Sequence, residues 1–522
     1  MNSTIVGAFQ HACTYFADRE SIAFGEQRIS YAELGARTSQ TARALVSLGN
    51  EPGRGTDPGD RVAMLVPNCP EFLYTVYGIW NAGLAFTQLQ PLGGPSSWAY
   101  CLNDAQANTL VYHAGFADAV EGMRSDLETV KHFVTIGGGD QASHPDLMHL
   151  AEKEEDSFPD FGVTTETVHM VGYSSGTTGL PKGIVWRAGS WWNALVAFML
   201  EMPELLGGRF MHVAPLTHMT SLFVLPTWLH GGSNVVLPGL DPSLWFSTIE
   251  KEKITGTAIV PTILYMLMEN PEISEHDLSS LETMVYGGSP MAPEKLRQGL
   301  EIFGDVFLQG YACSEGGAIS VLPKRDHLPE RPDRLGSAGR PMVTAEVALF
   351  DPDSGESVPK GEPGEIAVRS AHHMAGYWDP SKDAETIRPD GFVLTGDIGR
   401  FDQDGYLTIV DRKKDIIITG GFNVFPRDVE DAIFEHPSVQ EVAVIGVPDE
   451  KWGEAIKACV VLKYGQELTA DEIKAFVKQK KGSVYAPKSV DFIPTIPLTP
   501  QGKPDKKVLR APYWQSSQRA VH

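Results

Sequence analysis

From residue 61 to about residue 330, short apolar runs alternate with stretches of helical spacing. RVAMLVP (61–67) reads as a buried strand, and EFLYTVYGIWNAG (71–83) as the helix that follows it. A chain that repeats this unit must bury its strands on both faces, which calls for parallel sheets covered by helices: a layered α/β architecture. Upstream, residues 30–48 open with Ser30 and carry Glu33 three residues on, the pattern of a helix-starting capping box. The Gly/Pro cluster at 51–60 marks a loop before the first strand.

The pattern changes near residue 331. EVALFD, GEIAVRS and GYLTIVD are short alternating strands between Gly/Pro turns, which predicts a small β-barrel-like subdomain. After DRKKD (411–415) an α+β pattern begins, with helices over 427–436 and 470–481 and strands at VQEVAVIGV, IKACVVLK and SVDFIP. A length of 522 residues exceeds what one core holds, so at least two domains are expected. The reading is a large N-terminal domain over 1–412, β-rich over 331–412, and a small C-terminal domain over 413–522.

Charge narrows the partners. Lys plus Arg number 43 against 66 Asp plus Glu, a formal charge of −23, and so acidic a surface repels nucleic acid and anionic lipid. Cys13, Cys69, Cys101, Cys313 and Cys459 show no CxxC or Cys/His clustering, which argues against zinc and fits a reducing cytoplasm. The N-terminus lacks a basic segment followed by an apolar one, so no signal peptide is expected. The densest apolar stretch, Trp191 to Leu206, is broken by Glu201, Pro203 and Glu204, and no transmembrane segment is expected.

The strongest local signal is Tyr173-Ser174-Ser175-Gly176-Thr177-Thr178-Gly179-Leu180-Pro181-Lys182-Gly183, directly after the apolar run VHMVGY. Its glycines let backbone N–H groups approach phosphate oxygens, its hydroxyls donate further hydrogen bonds, and Lys182 adds charge. It does not match the GxxxxGK[ST] phosphate loop. A plain surface turn rarely gathers so many donors beside a buried strand.

This loop resembles the signature of the adenylate-forming superfamily: acyl-CoA synthetases, aryl-CoA ligases, peptide-synthetase adenylation domains and luciferases. Further motifs similar to that family's follow in order: PLTH (215–218), GGSP (287–290), QGYACSE (309–315), GEPGEI (361–366), TGDIG (395–399), DRKKD (411–415), GGFNVFP (420–426) and TPQGKPDKKVLR (499–510). The resemblance covers most of the chain, and its closest type is a stand-alone acyl-CoA synthetase. It implies an ATP-dependent carboxylic acid:CoA ligase that makes an acyl-adenylate and pyrophosphate, then acyl-CoA and AMP. ATP, Mg2+ and coenzyme A are implied, with a small-molecule carboxylic acid as substrate. The implied C-terminal domain is mobile, turning about Lys414 between adenylate-forming and thioester-forming orientations.

The resemblance also implies roles residue by residue. Ser174, Ser175, Gly176, Thr177, Thr178 and Lys182 hold phosphates; Gly288, Ser289, Pro290, Gln309, Gly310, Tyr311, Ala312 and Ser314 line the nucleotide site, with Tyr311 stacked on adenine. Ala312 and Ser314 replace the family's usual Gly and Thr. A carboxylate at Glu315 suits Mg2+ bound to ATP, although a lone Glu is usually a solvated surface acid. Asp397, in a Gly-flanked turn, suits a ribose diol, the bland alternative being a turn cap, and Arg412 joins it. Lys503 is the adenylation lysine, an ammonium delivered between two repelling anions. His218 gates the acyl site, although a lone His between apolar runs is more often a core residue. Gly420 and Gly421 line the pantetheine channel, or else form a turn needing positive φ.

The acyl pocket is expected at His218, Met219, Val224, Gly287, Gly310 and Gly316, where small walls and apolar neighbours suit a hydrophobic aromatic, alicyclic or medium-chain acid. MHVAPLTHMTSLFVLP holds no acidic residue to pair with a substrate amine, which disfavours an amino acid. No carrier or condensation domain is expected beyond residue 522, so tethering within one chain is not expected. Loading of a separate carrier protein, and a nucleotide-binding module without turnover, stand as alternatives. A homodimer is compatible with the sequence.

Overall fold

The computed structural model describes residues 4–138, 144–173, 181–499 and 503–514. Two large sheets carry most of the chain. The first has nine strands, in the order Arg340–Pro341, Gly317–Leu322, Phe307–Cys313, Thr283–Gly287, Gly256–Ile259, Arg209–His212, Ser233–Val236, Glu20–Phe24 and Gln27–Ser30. The six strands from Phe307–Cys313 to Glu20–Phe24 run parallel. The second has seven strands, and five of them are parallel: Val168–Tyr173, Ala85–Gln88, Arg61–Leu65, Thr109–His113 and His132–Ile136.

The largest core lies between these sheets. It joins Ile22, Ile29 and Val236 of the first to Val62, Phe86 and Val111 of the second through the helices Tyr31–Ser47 and Pro70–Asn81. Pro70–Asn81 is buried nearly all round, as its almost uninterrupted apolar sequence requires. Tyr31–Ser47 starts with the capping box read from the sequence: Glu33 N–H donates to Ser30 Oγ at 3.1 Å, and Ser30 N–H to Glu33 Oε2 at 3.1 Å. The apolar stretch at 191–206 is split between the helix Ala188–Glu201 and a 3-10 turn at Pro203–Leu205. No helix among the described residues is long and apolar enough to cross a membrane.

The β-rich segment forms a four-stranded antiparallel sheet of Ala345–Phe350, Gly364–Ser370, Val393–Phe401 and Leu407–Arg412. Its inner face packs on the edge of the nine-stranded sheet through Ile366, Val368 and Leu407 against Tyr311 and Ile319. A 3-10 turn at Lys413–Asp415 then leads into a five-stranded sheet built on the long hairpin Val439–Asp449 and Gly453–Leu462. The helices Pro426–Phe434 and Ala470–Lys481 cover this sheet and bury Val429, Ile433, Ile473 and Val477 against Val444, Ile456 and Val460. The fold is therefore a large layered α/β region followed by a small α+β unit with its own core.

Candidate functional site

In open parallel sheets the carboxyl ends of the strands are where loops can converge on a ligand. Three of the sequence motifs sit at such ends. Thr283–Gly287 runs into Gly288, Ser289 and Pro290. Phe307–Cys313 carries Gln309, Gly310, Tyr311 and Ala312, and leads to Ser314 and Glu315. Val168–Tyr173 leads into Ser174, Ser175, Gly176, Thr177 and Thr178, which lie outside the described residues.

Asp397 stands at the centre of the assembled groups. It is 7% exposed and is paired in register with Arg412 on the adjacent strand. Its Oδ2 accepts the Tyr311 hydroxyl at 2.7 Å, its Oδ1 lies 3.4 Å from Arg412 Nε, and its N–H donates to Thr395 Oγ1 at 3.1 Å. The Tyr311 ring is packed with Ile319, Ile366 and Val368 and is 8% exposed, so its visible work is to hold this carboxylate. Gly396 at φ +74 lets the strand turn there without a Cβ clash.

Lys503 reaches this group from the far end of the chain. Thr499 N–H donates to the Lys503 carbonyl at 2.7 Å, and Leu498 bridges Pro504, so the ends of its loop are pinned together. A Cβ placed on Gly288 would lie 3.7 Å from Lys503 Cε and 4.0 Å from Nζ. Burial and the nearby Arg412 guanidinium pull the Lys503 ammonium down to about 8, while Asp397 opposes them. Burial and the Lys503 charge in turn pull the half-buried His218 imidazole down to about 4, so it is neutral at pH 7.

This depressed ammonium has a consequence for pH. Lys503 is charged below about 8 and loses its proton as the pH rises through that value. If its charge is needed, kcat/KM for ATP should fall about tenfold per unit on the alkaline side, with no inflection from His218 between pH 5 and 7. Lys503→Arg keeps its charge there and should flatten that limb, even at a lower absolute rate. An alkaline limb shared by both enzymes would assign it to another group.

Glu315 is half-buried, and burial raises its carboxyl above the usual range. The Tyr377 hydroxyl approaches its Oε1 at 3.4 Å. Lys182 Nζ sits 5.1 Å from the centre of the same tyrosine ring and 2.9 Å from Glu385 Oε2. Among the described residues no group of three His, Cys, Asp or Glu side chains could cage a metal. A single carboxylate fits a Mg2+ that arrives on nucleotide phosphates and keeps most of its other ligands from them and from water.

On the acyl side Gly287, Gly310 and Met219 come together. A Cβ on Gly287 would strike the Gly310 carbonyl at 2.4 Å and lie 3.7 Å from Met219 Sδ, and one on Gly310 would meet Met202 Cε at 3.4 Å. Val224 and Gly316, expected in the same pocket, are both closely packed. Val224 is 1% exposed and packed in the core between the sheets, because it begins the buried helix Val224–Leu229. Gly316 faces the β-rich sheet: a Cβ there would lie 2.5 Å from Val368 Cγ1 and 3.0 Å from Cys313 Sγ.

Lys414 lies in the 3-10 turn between the two sheets, its ammonium pulled down to about 8 chiefly by burial. Gly420 and Gly421 form the turn of the hairpin Ile417–Thr419 and Phe422–Val424, at φ +58 and +81. The sequence does not single out Tyr377 or Glu385. Each acts through a partner more than 60 residues away, and linear spacing gives no sign of it.

Comparison with known proteins places this geometry. The model of the AMP-binding enzyme family matches residues 9–378, and that of the AMP-binding enzyme C-terminal domain matches 428–503. A medium/long-chain-fatty-acid–CoA ligase, FadD8 of Mycobacterium tuberculosis, is 39% identical over 95% of this chain and 88% of its own length. A feruloyl-CoA synthase of an Amycolatopsis species is 35% identical over 92% of this chain and 94% of its own. Among solved structures, the amide bond synthetase McbA from Marinactinospora thermotolerans superposes with a TM-score of 0.87 at 30% identity, covering 97% of this chain and 99% of that one. With a family model spanning well over half its length and relatives aligned almost end to end, the chain belongs to the AMP-binding enzyme family.

Proposed function

We propose that this protein is an ATP-dependent carboxylic acid:CoA ligase acting on a hydrophobic acid. The observation that carries the reading is the meeting of Lys503 with Gly288, His218, Asp397 and Arg412, groups between 91 and 285 positions from it in the chain, in one partly buried space. Asp397 and Arg412 take the ribose, Asp397 accepting from the diol with the oxygen not held by Tyr311. Lys503 lies between the incoming carboxylate and the α-phosphate and offsets the charge that their approach concentrates. Neutral His218 stands at the acyl side without adding charge that would oppose Lys503. Glu315 holds Mg2+, whose contribution when bound is to offset phosphate charge. The two domains meet at Arg412–Asp415, with Lys414 as the hinge.

Substrate class follows from chemistry shared by the site and the relatives. Gly287, Gly310, Met219 and Met202 present an apolar wall, and the relatives named above act on acids with an apolar body: fatty acids and ferulate. Five free thiols fit a reducing compartment, and we assign the protein to the cytoplasm.

The test is a panel of aromatic, alicyclic and medium-chain acids with ATP, Mg2+ and CoA. AMP, pyrophosphate and acyl-CoA should appear in equal amounts. ADP as the stoichiometric product would sink the reading. Adenylate formed with CoA unconsumed would keep the first step and reassign the acceptor.

A further inference from the structure

Besides the Arg427 bonds to the Ile409 carbonyl and to Asp411 near the inter-sheet turn, a second cluster of side chains joins the C-terminal unit to the large domain. On one side the helix Pro261–Glu269 carries Tyr265 and ends at Glu269; on the other, Phe434 ends the helix Pro426–Phe434 and Gln440 is the second residue of the strand Val439–Asp449. The rings of Tyr265 and Phe434 lie edge to face with centroids 6.2 Å apart. Gln440 Nε2 donates to Glu269 Oε2 at 3.1 Å. The other oxygen of the same carboxylate, Oε1, is 3.4 Å from Lys295 Nζ. Lys295 is only 5% exposed, and its ammonium also lies 5.5 Å from the centre of the Tyr265 ring. The Tyr265 hydroxyl accepts Ala292 N–H at 3.3 Å, which fixes the ring against Met291–Pro293, just past the Gly288–Pro290 loop.

We propose that Glu269, Gln440, Tyr265 and Phe434 form a latch that holds the C-terminal domain in the orientation placing Lys503 on the nucleotide site. The inference rests on the ligase reading above. Three of the four latch residues are held within their own unit: Lys295 and Ala292 hold Glu269 and Tyr265 in the large domain, and Phe434 packs on the core of the small one. Closure therefore orders few additional side chains, so little of the contact is lost to entropy. A rotation about Lys413–Asp415 that carries Lys503 away must separate all four residues. The same rotation uncovers Lys295, whose charge then gains water, so release is not prohibitive. These are positioning residues: none touches the reacting groups, and they act on the rate by biasing which orientation is populated.

The test is a double-mutant cycle on Glu269→Ala and Gln440→Ala, read separately in the two half-reactions. Each single variant should slow pyrophosphate exchange roughly three- to tenfold, the net size of one ordinary intramolecular hydrogen bond at a partly exposed site. The double variant should cost no more than about the larger single effect, because both changes break the same contact. Thioester formation from presynthesised acyl-adenylate should stay at the wild-type rate or rise. Phe434→Leu, which keeps the small domain's core filled, should behave like Gln440→Ala. Additive losses in the cycle, or equal losses in both half-reactions at unchanged Tm, would overturn the latch. A wild-type enzyme that exchanges pyrophosphate but makes no thioester would refute the CoA reading instead. The non-additivity in exchange would still decide the latch.

Discussion

Lys503→Ala should slow acyl-adenylate formation by roughly 10²–10³, the usual loss when one preorganised charge-stabilising group is removed from a site shielded from water. The size follows from where the ammonium sits. It is buried enough to depress its proton affinity to about 8, and it has Arg412 as a neighbour of like charge. A side chain held at that cost is stabilised when two anions converge on it, which makes its contribution larger in the transition state than in the resting enzyme. Under the proposed two-orientation mechanism, in which rotation of the C-terminal domain takes this lysine out of the site, thioester formation from presynthesised adenylate should be largely spared. The measurement is pyrophosphate exchange beside single-turnover thioester formation. Equal damage to both would contradict a two-orientation mechanism.

Gly421→Leu is expected to give the opposite pattern, and the structure supplies its control. Gly420 and Gly421 form a two-residue hairpin turn with φ of +58 and +81, a conformation that costs any L-residue about 1–2 kcal/mol. Gly420 is also hemmed in: a Cβ there would lie 2.6 Å from Trp452 Cε3. Gly421 meets nothing within 4 Å, so in this orientation a leucine would point into open space. Gly421→Ala and Gly421→Leu therefore share the backbone strain, and only leucine adds reach. If the turn lines the pantetheine channel after rotation, both variants should lose a similar few degrees of Tm and keep pyrophosphate exchange near wild type. Leucine alone should drop acyl-CoA formation by about 10² or more, the penalty for displacing a reactant from its working position. Matching losses for alanine and leucine would leave Gly421 as a turn residue and weaken the case for CoA as acceptor.

Much of the architecture was legible because burial and turn chemistry write themselves locally. The run at 71–83 is almost wholly apolar, and it became the buried helix Pro70–Asn81. Ser30 with Glu33 predicted a capping box, and both hydrogen bonds are present. The helix read over 470–481 is Ala470–Lys481, because Thr469 and Glu472 cap its start and Gly482 ends it. The small residues of the supposed acyl wall were less readable. A glycine in the sequence states only that a side chain is unwelcome, and not what would object to it. At Gly287 the objector is the Gly310 carbonyl, whereas at Gly316 it is Val368 of the β-rich sheet.

The sequence by itself determined the fold class, the order of its sheets' building blocks, the family motifs and the identity of the charged groups, since each depends on residues within one turn, strand or loop of one another. Only the tertiary structure decided which of those groups meet. Tyr311 and Asp397 are 86 positions apart in the chain and share a hydrogen bond of 2.7 Å. Glu269 and Gln440 are 171 positions apart and share a hydrogen bond of 3.1 Å. Such pairs leave no periodicity to read, because their energy comes from desolvation and geometry that exist only once the sheets and the C-terminal domain have come together.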